Sequence, residues 1–161
     1  MEKNVLVALD DSENAMAAVG MVARSFTPDH KVTLFTVIQD TAAICEMYST
    51  ELTPYFMAER NAFSFLENKR KDLIDEVHQK AKEILIKAGF EEEGITSKIE
   101  TSKKGVARDI IDEARAGYCI VALGRRGLSG IKEFFLGSVS NKVISSVKDV
   151  SVFVVDQVFQ G

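Results

Sequence analysis

Residues 4–38 read NVLVALDDSENAMAAVGMVARSFTPDHKVTLFTVI, and this stretch decides the fold. NVLVAL at 4–9 is an unbroken apolar run, the pattern of a strand covered on both faces. Ser12 is placed to cap a helix, and the Ala/Met/Val pattern from Ala15 to Ala23 has helical period. Gly20 weakens that helix but is expected to allow close packing against a sheet. Pro28, Asp29 and His30 then make a turn before KVTLFTVI, a second strand at 31–38. Strand, helix and strand in forty residues make a βαβ unit with parallel strands.

The rest of the chain repeats the alternation. Residues 69–88 carry Leu73, Val77, Ala81, Ile84, Leu85 and Ala88 on one expected helix face, and Gly89 ends it. Glu91, Glu92 and Glu93 read as a solvated turn. ITSKIET supplies a third strand, and residues 105–114 a short helix with Ile110, Ile111 and Ala114 turned inward. YCIVAL at 118–123 reads as a buried strand in which Cys119 is a small core residue. GSVSNKVISSV supplies the last helix, and VSVFVVDQV the last strand from residue 151 onward. Five strands alternating with four helices predict one doubly wound α/β domain over 1–161, an open parallel sheet flanked by helices.

Residues 39–68 are the least regular segment. Tyr48, Tyr55, Phe56, Phe63 and Phe65 cluster there, and Pro54 interrupts any helix through the middle. A lid or dimerisation arm is one reading; a crossover insertion whose aromatics fill gaps is the other.

Composition bounds the function. The 161 residues are 46% apolar and 27% charged, which excludes low-complexity disorder. At this size folding can bury roughly two-thirds of the extended surface, so a core needs no metal or disulfide staple. Twenty basic against 24 acidic residues leave a net charge of −4, with no basic face for nucleic acid or an anionic membrane. No apolar run reaches 18 residues, and MEKNVLVALD reads as a strand rather than a signal peptide. Cys45 and Cys119 match neither a redox pair nor a zinc cluster, so a cytoplasmic setting is expected.

Open α/β sheets bind ligands beyond the C-terminal ends of their strands. Two stretches fall there. In VALDDS, Asp10 ends the first strand, either serving a ligand or satisfying backbone N–H groups of the turn. In LGRRGLSGIKEFFLGSVSNK, Gly124 and Gly127 flank Arg125 and Arg126, and Gly137-Ser138-Val139-Ser140 opens a helix. Unpaired N–H groups and the two hydroxyls at that helix start suit a phosphate. Arg125 and Arg126 either add positive charge beside it or are solvated loop residues, and the second reading fits at least one of them. There is no GxxxxGK[ST] loop and no GxGxxG turn. His30 and His78 lie away from every candidate loop and read as exposed side chains.

Gly124-x2-Gly127-x9-Gly137-Ser138, together with the opening VALDDSENA, resembles the universal stress protein family, in its ATP-binding branch. The resemblance spans nearly the whole chain, including the long segment after the second strand, and implies a Rossmann-like, adenine nucleotide alpha hydrolase-like fold. It further implies that Ala8 and Val37 contact adenine, and that Asp10 sits near the ribose and a divalent metal, Mg2+ or Mn2+. Leu123, Gly124 and Gly127, with Arg125 beside them, would line ribose and phosphates, and Gly137, Ser138, Val139 and Ser140 would grip the phosphates. Members of the family typically dimerise through the last strand, which implies a homodimer through residues 151–157. Two departures stand out: Gly117-Tyr118 where members often carry Ala-Asp, and Lys148-Asp149-Val150-Ser151 where a proline is frequent. The function implied is a nucleotide-binding stress-response regulator. A slow Mg-dependent ATPase or phosphotransferase switch, and an interaction module with an empty or non-ATP pocket, are the alternatives.

Overall fold

The computed structural model describes residues 3–40, 60–126 and 136–156, with the side chains of 60–64 left aside. Among them are five strands and four helices: β1 Asn4–Ala8, α1 Glu13–Ser25, β2 Lys31–Ile38, α2 Arg60–Lys87, β3 Ile95–Thr101, α3 Val106–Ala114, β4 Ile120–Gly124, α4 Ser138–Ser146 and β5 Ser151–Val155. All strand pairs are parallel, in the order β3-β2-β1-β4-β5. This is the doubly wound α/β sheet that the apolar strands predict.

Period-two alternation splits the core into two layers. Val5 and Val7 of β1 and Leu9 just after it, with Val32 and Leu34 of β2, face Val19 and Val22 of α1 and Val77, Ala81 and Leu85 of α2. Leu6, Phe35, Val121 and Leu123 point the other way, onto Ile110, Ile111 and Ala114 of α3 and Val143 of α4. Central β1 has no exposed residue, which is why it reads as an unbroken apolar run.

Local signals hold where they are local. Ser12 caps α1, its hydroxyl accepting the Ala15 N–H at 3.1 Å. Gly89 ends α2 with φ +97°, a conformation side chains with a Cβ rarely adopt. Residues 92–94 form a 3-10 turn with Glu91, Glu92 and Glu93 exposed.

Several expectations are corrected. α2 starts at Arg60, inside the segment read as irregular. Its buried stripe runs through Ile74, Val77, His78, Ala81 and Leu85, while Leu73 and Ala88 point outward. The roll of a long helix is decided by what it packs on, and here that surface is β2 and α1. His78 is therefore buried rather than exposed, and His30 is half-buried with its ring edge-on to Phe26 at 5.2 Å. Gly20 serves no close contact among the described residues, since a Cβ there would meet none of their atoms within 4 Å. β4 begins at Ile120, leaving Cys119 half-buried at the strand entrance, its thiol 3.1 Å from the Asn4 carbonyl. β5 ends at Val155, short of the expected 157. Cys45, Tyr48, Tyr55, Phe56, Gly127 and residue 157 lie outside the described residues, as does the Phe63 side chain.

Candidate functional site

At the C-terminal ends of β1 and β4, where α1 leaves for one face and α4 for the other, a cleft of about 350 Å³ opens. Such a switch point is where open α/β sheets hold ligands, and the volume is within the range of small-molecule sites. Its floor is Ala8 at the end of β1 with Leu9 and Asp10 after it, Phe35 and Val37 of β2 with Gln39 after it, and Leu123 and Gly124 of β4. Ala15, Val106 and Ile110 add apolar wall, and Gly137, Ser138, Val139 and Ser140 close one side. Eight of the eleven residues expected at the site meet in this one cavity without further qualification: Ala8, Asp10, Val37, Leu123, Gly124, Gly137, Ser138 and Val139.

Ser140 also lines it but in a different role. It is 4% exposed, and its hydroxyl donates to the Gly124 carbonyl at 2.7 Å. Its one proton is committed to holding α4 on β4, so the two hydroxyls of the helix start do not face outward together. Ser138 is the exposed one.

Arg125 is brought elsewhere. Its N–H donates to the Val155 carbonyl at 2.7 Å, and its guanidinium meets the Asp156 carboxylate at 2.8 Å, tying the end of β4 to the end of β5. Arg126 instead lines the cleft, its carbonyl accepting the Asn14 side-chain amide at 3.2 Å. Neighbouring residues leaving a strand point to opposite sides, so one Arg reaches the cavity and the other does not.

Asp10 satisfies a backbone N–H of the turn and also lines the cleft. One carboxylate oxygen accepts the Ser12 N–H at 2.9 Å, shaping the β1–α1 turn, while the residue still faces the cleft. Among the described residues it is the only acidic one lining the cavity, and no cluster of three or more metal-ligating side chains occurs among them. One partly used carboxylate fits a divalent cation that arrives on phosphate oxygens, as magnesium commonly does, and does not make a cation site by itself.

The helix start has the right polarity for an anion. Gly137, the N-cap, donates its N–H to the Arg125 carbonyl at 2.8 Å, and its carbonyl accepts from Asn141 at 2.9 Å. The N–H groups of the first turn, Ser138 to Ser140, have no acceptor within the helix. They add to the positive end of its dipole, and no acidic residue occupies that turn.

Gly124 has a reason the ligand does not supply. A Cβ there would sit 2.7 Å from the Asn14 carbonyl carbon and 2.9 Å from the Ala15 nitrogen. Only glycine lets α1 start this close to the end of β4, so one glycine of the spaced motif is demanded by the fold itself.

Sequence reading missed Arg70 and Gln39, both of which line the cleft. It also missed a tether behind it. Thr36 donates its hydroxyl to the Leu9 carbonyl at 2.6 Å and lies 2.7 Å from His78 Nε2. A hydroxyl has one proton, so His78 must donate from Nε2. Its Nδ1 is then a buried acceptor with no hydrogen-bond partner among the described residues. Burial holds the His78 pKa below its ordinary value, with the Asp75 carboxylate opposing that shift.

An open five-stranded parallel sheet flanked by helices, with a cleft at its switch point, defines the class as a doubly wound α/β domain. A family model described as the universal stress protein family matches residues 1–156, and the chain belongs to that family. A universal stress protein of Mycolicibacterium smegmatis is 28% identical over 147 residues, covering 89% of this chain. The match takes up 45% of that protein, so the chain spans under half the length of this relative. Solved structures share the fold. The universal stress protein UspA from Lactobacillus plantarum superposes with a TM-score of 0.70 at 19% identity, over 96% of this chain and 99% of that one. A universal stress protein in complex with cAMP has a TM-score of 0.60 at 18% identity, over 96% and 97%. No helix among the described residues is long and apolar enough to cross a membrane.

Proposed function

We propose that the chain binds an adenine nucleotide in the switch-point cleft and acts as a nucleotide-dependent regulatory protein. The observation that carries this is the convergence of an apolar floor, Ala8, Val37 and Leu123, with the open first turn of α4 in one cavity. Apolar surface suits a planar base, and the helix start suits phosphate. The ligand is ATP, with Mg2+ or Mn2+ bound through the phosphates and Asp10. In that arrangement Ala8 and Val37 flank the base, Leu123, Gly124 and Gly127 the ribose and phosphates, and Gly137 to Val139 the phosphates. Ser140 supports them through Gly124. A cyclic nucleotide is the second reading, favoured by the cAMP complex of a structure with the same fold.

Isothermal titration of ATP with Mg2+, ADP, AMP and cAMP into nucleotide-stripped protein tests the proposal and ranks the ligands. Saturable micromolar binding by one of them is expected. Folded, empty protein that binds none would make the chain an interaction module instead. Single-turnover assays on bound ATP then separate a holding site from a slow ATPase or phosphotransferase. The proposal extends to a homodimer through β5, which lies at the sheet edge. An open edge invites a second copy; a monomeric mass by light scattering at micromolar concentration would sink that part alone.

A further inference from the structure

α2 carries its buried residues on one stripe, Ile74, Val77, His78, Ala81 and Leu85, packed on the sheet and α1. One turn further toward its N-terminus the same stripe reaches Arg70, four residues before Ile74 and eight before His78. At 1.5 Å per residue this is about 12 Å up the helix from the Thr36 tether. The sheet has ended there, and the cleft begins: Arg70 lines it together with Asp10, Arg126 and Ser138. The stripe thus continues with a guanidinium at the point where its surroundings change from core to cavity.

Charge points the same way. Among the described residues the cleft is lined by two arginines and one aspartate, an excess of positive charge in a protein whose net charge is −4. A concave site of one sign concentrates ligands of the other. α2 lies on the α1 face of the sheet and α4 on the opposite face, so Arg70 and the α4 start flank the cleft from its two walls. The helix that presents Arg70 is anchored, because His78 bonds Thr36, which in turn holds the Leu9 carbonyl beside Asp10.

We propose that Arg70 is a specificity-determining residue: it contacts the phosphoryl group of the bound ligand across the cleft from α4 and selects phosphorylated ligands over the bare nucleoside. This inference rests on the proposed nucleotide site, and its test separates the two. Full-length wild type, R70A and R70K are titrated with adenosine, AMP, ATP with Mg2+, and tripolyphosphate, with circular dichroism and melting curves alongside. Arg70 is exposed, so the fold tolerates both substitutions. Losing a hydrogen bond to a charged group predicts about tenfold weaker binding of ATP by R70A. Adenosine should change by less than about twofold, and R70K should fall between the extremes, since lysine keeps the charge but not the fork. Equal losses for adenosine and ATP, or no loss for either, would overturn the role of Arg70 and leave the nucleotide site standing. Arg70-dependent binding of tripolyphosphate by a wild type that ignores every nucleotide would uphold Arg70 as a phosphoryl reader and overturn the nucleotide reading. A wild type that binds none of the four probes overturns both.

Discussion

Ser138→Asp separates binding from folding, because the two should move in opposite directions. Ser138 is the exposed first residue of α4, in a first turn without acidic residues. A carboxylate there meets the positive end of the helix dipole and should raise stability by about 0.5 kcal/mol. It also stands where the proposed phosphate would sit. Two unit charges about 5 Å apart at an effective dielectric of about 20 repel by about 3 kcal/mol, and physiological salt reduces this to about 2. That corresponds to roughly thirty-fold weaker ATP binding. Adenosine, lacking phosphate, should be nearly unaffected, and Ser138→Asn, neutral and of the same shape, should cost little. Calorimetric titration with a parallel melting curve reads both quantities. An ATP affinity that survives Ser138→Asp in folded protein would refute the placement of phosphate at the α4 start. Equal losses for ATP and adenosine would instead mean that the helix had shifted.

Two glycines should respond with opposite sign. Gly124→Ala forces a Cβ against the Asn14 and Ala15 backbone and should cost about 1–3 kcal/mol in urea unfolding. Gly20→Ala, inside α1 with open space around it, should gain about 0.5–1 kcal/mol, and a loss there would show a contact the geometry lacks. His78, with a pKa held below its ordinary 6.5, stays neutral in the folded state while the unfolded chain takes up a proton. Its contribution is therefore complete above about pH 6.5 and declines as pH falls from there toward the folded pKa. Urea midpoints between pH 7.5 and 5.5 should show a steeper fall for wild type than for His78→Phe, and equal slopes would clear the imidazole. Magnesium alone should give no saturable heat, because Asp10 is the only acidic residue lining the cleft among the described residues; saturable binding without nucleotide would require ligands beyond it.

What was legible beforehand was what neighbours in sequence decide. The Ser12 cap, the Gly89 stop, the inward face of α3 and the apolar strands each depend on residues within a few positions of one another, and each stands in the structure. Gly124, Gly137 and the serines at the α4 start marked the cleft by local chemistry as well. Ala8, Asp10, Val37, Leu123, Gly137 and Val139 were drawn to the same cavity by family resemblance as much as by the residues themselves.

Packing between distant segments decided the rest. Whether Leu73 or Ile74 faces inward depends on the roll of α2 over β2 and α1, and with it goes the burial of His78. Whether Gly20 or Gly124 is the close approach depends on where α1 crosses β4. Arg125 and Arg126 are equivalent on paper, and strand direction sends one to Asp156 and the other to the cleft. Ser138 and Ser140 differ because one hydroxyl finds the Gly124 carbonyl. Arg70 joins Asp10 only once the sheet has ordered itself as β3-β2-β1-β4-β5. Backbone hydrogen bonding, capping and side-chain period are short-range along the chain and can be read from it. Burial, hydrogen-bond partners and the walls of a cleft depend on residues far apart in sequence, and only the folded arrangement assigns them.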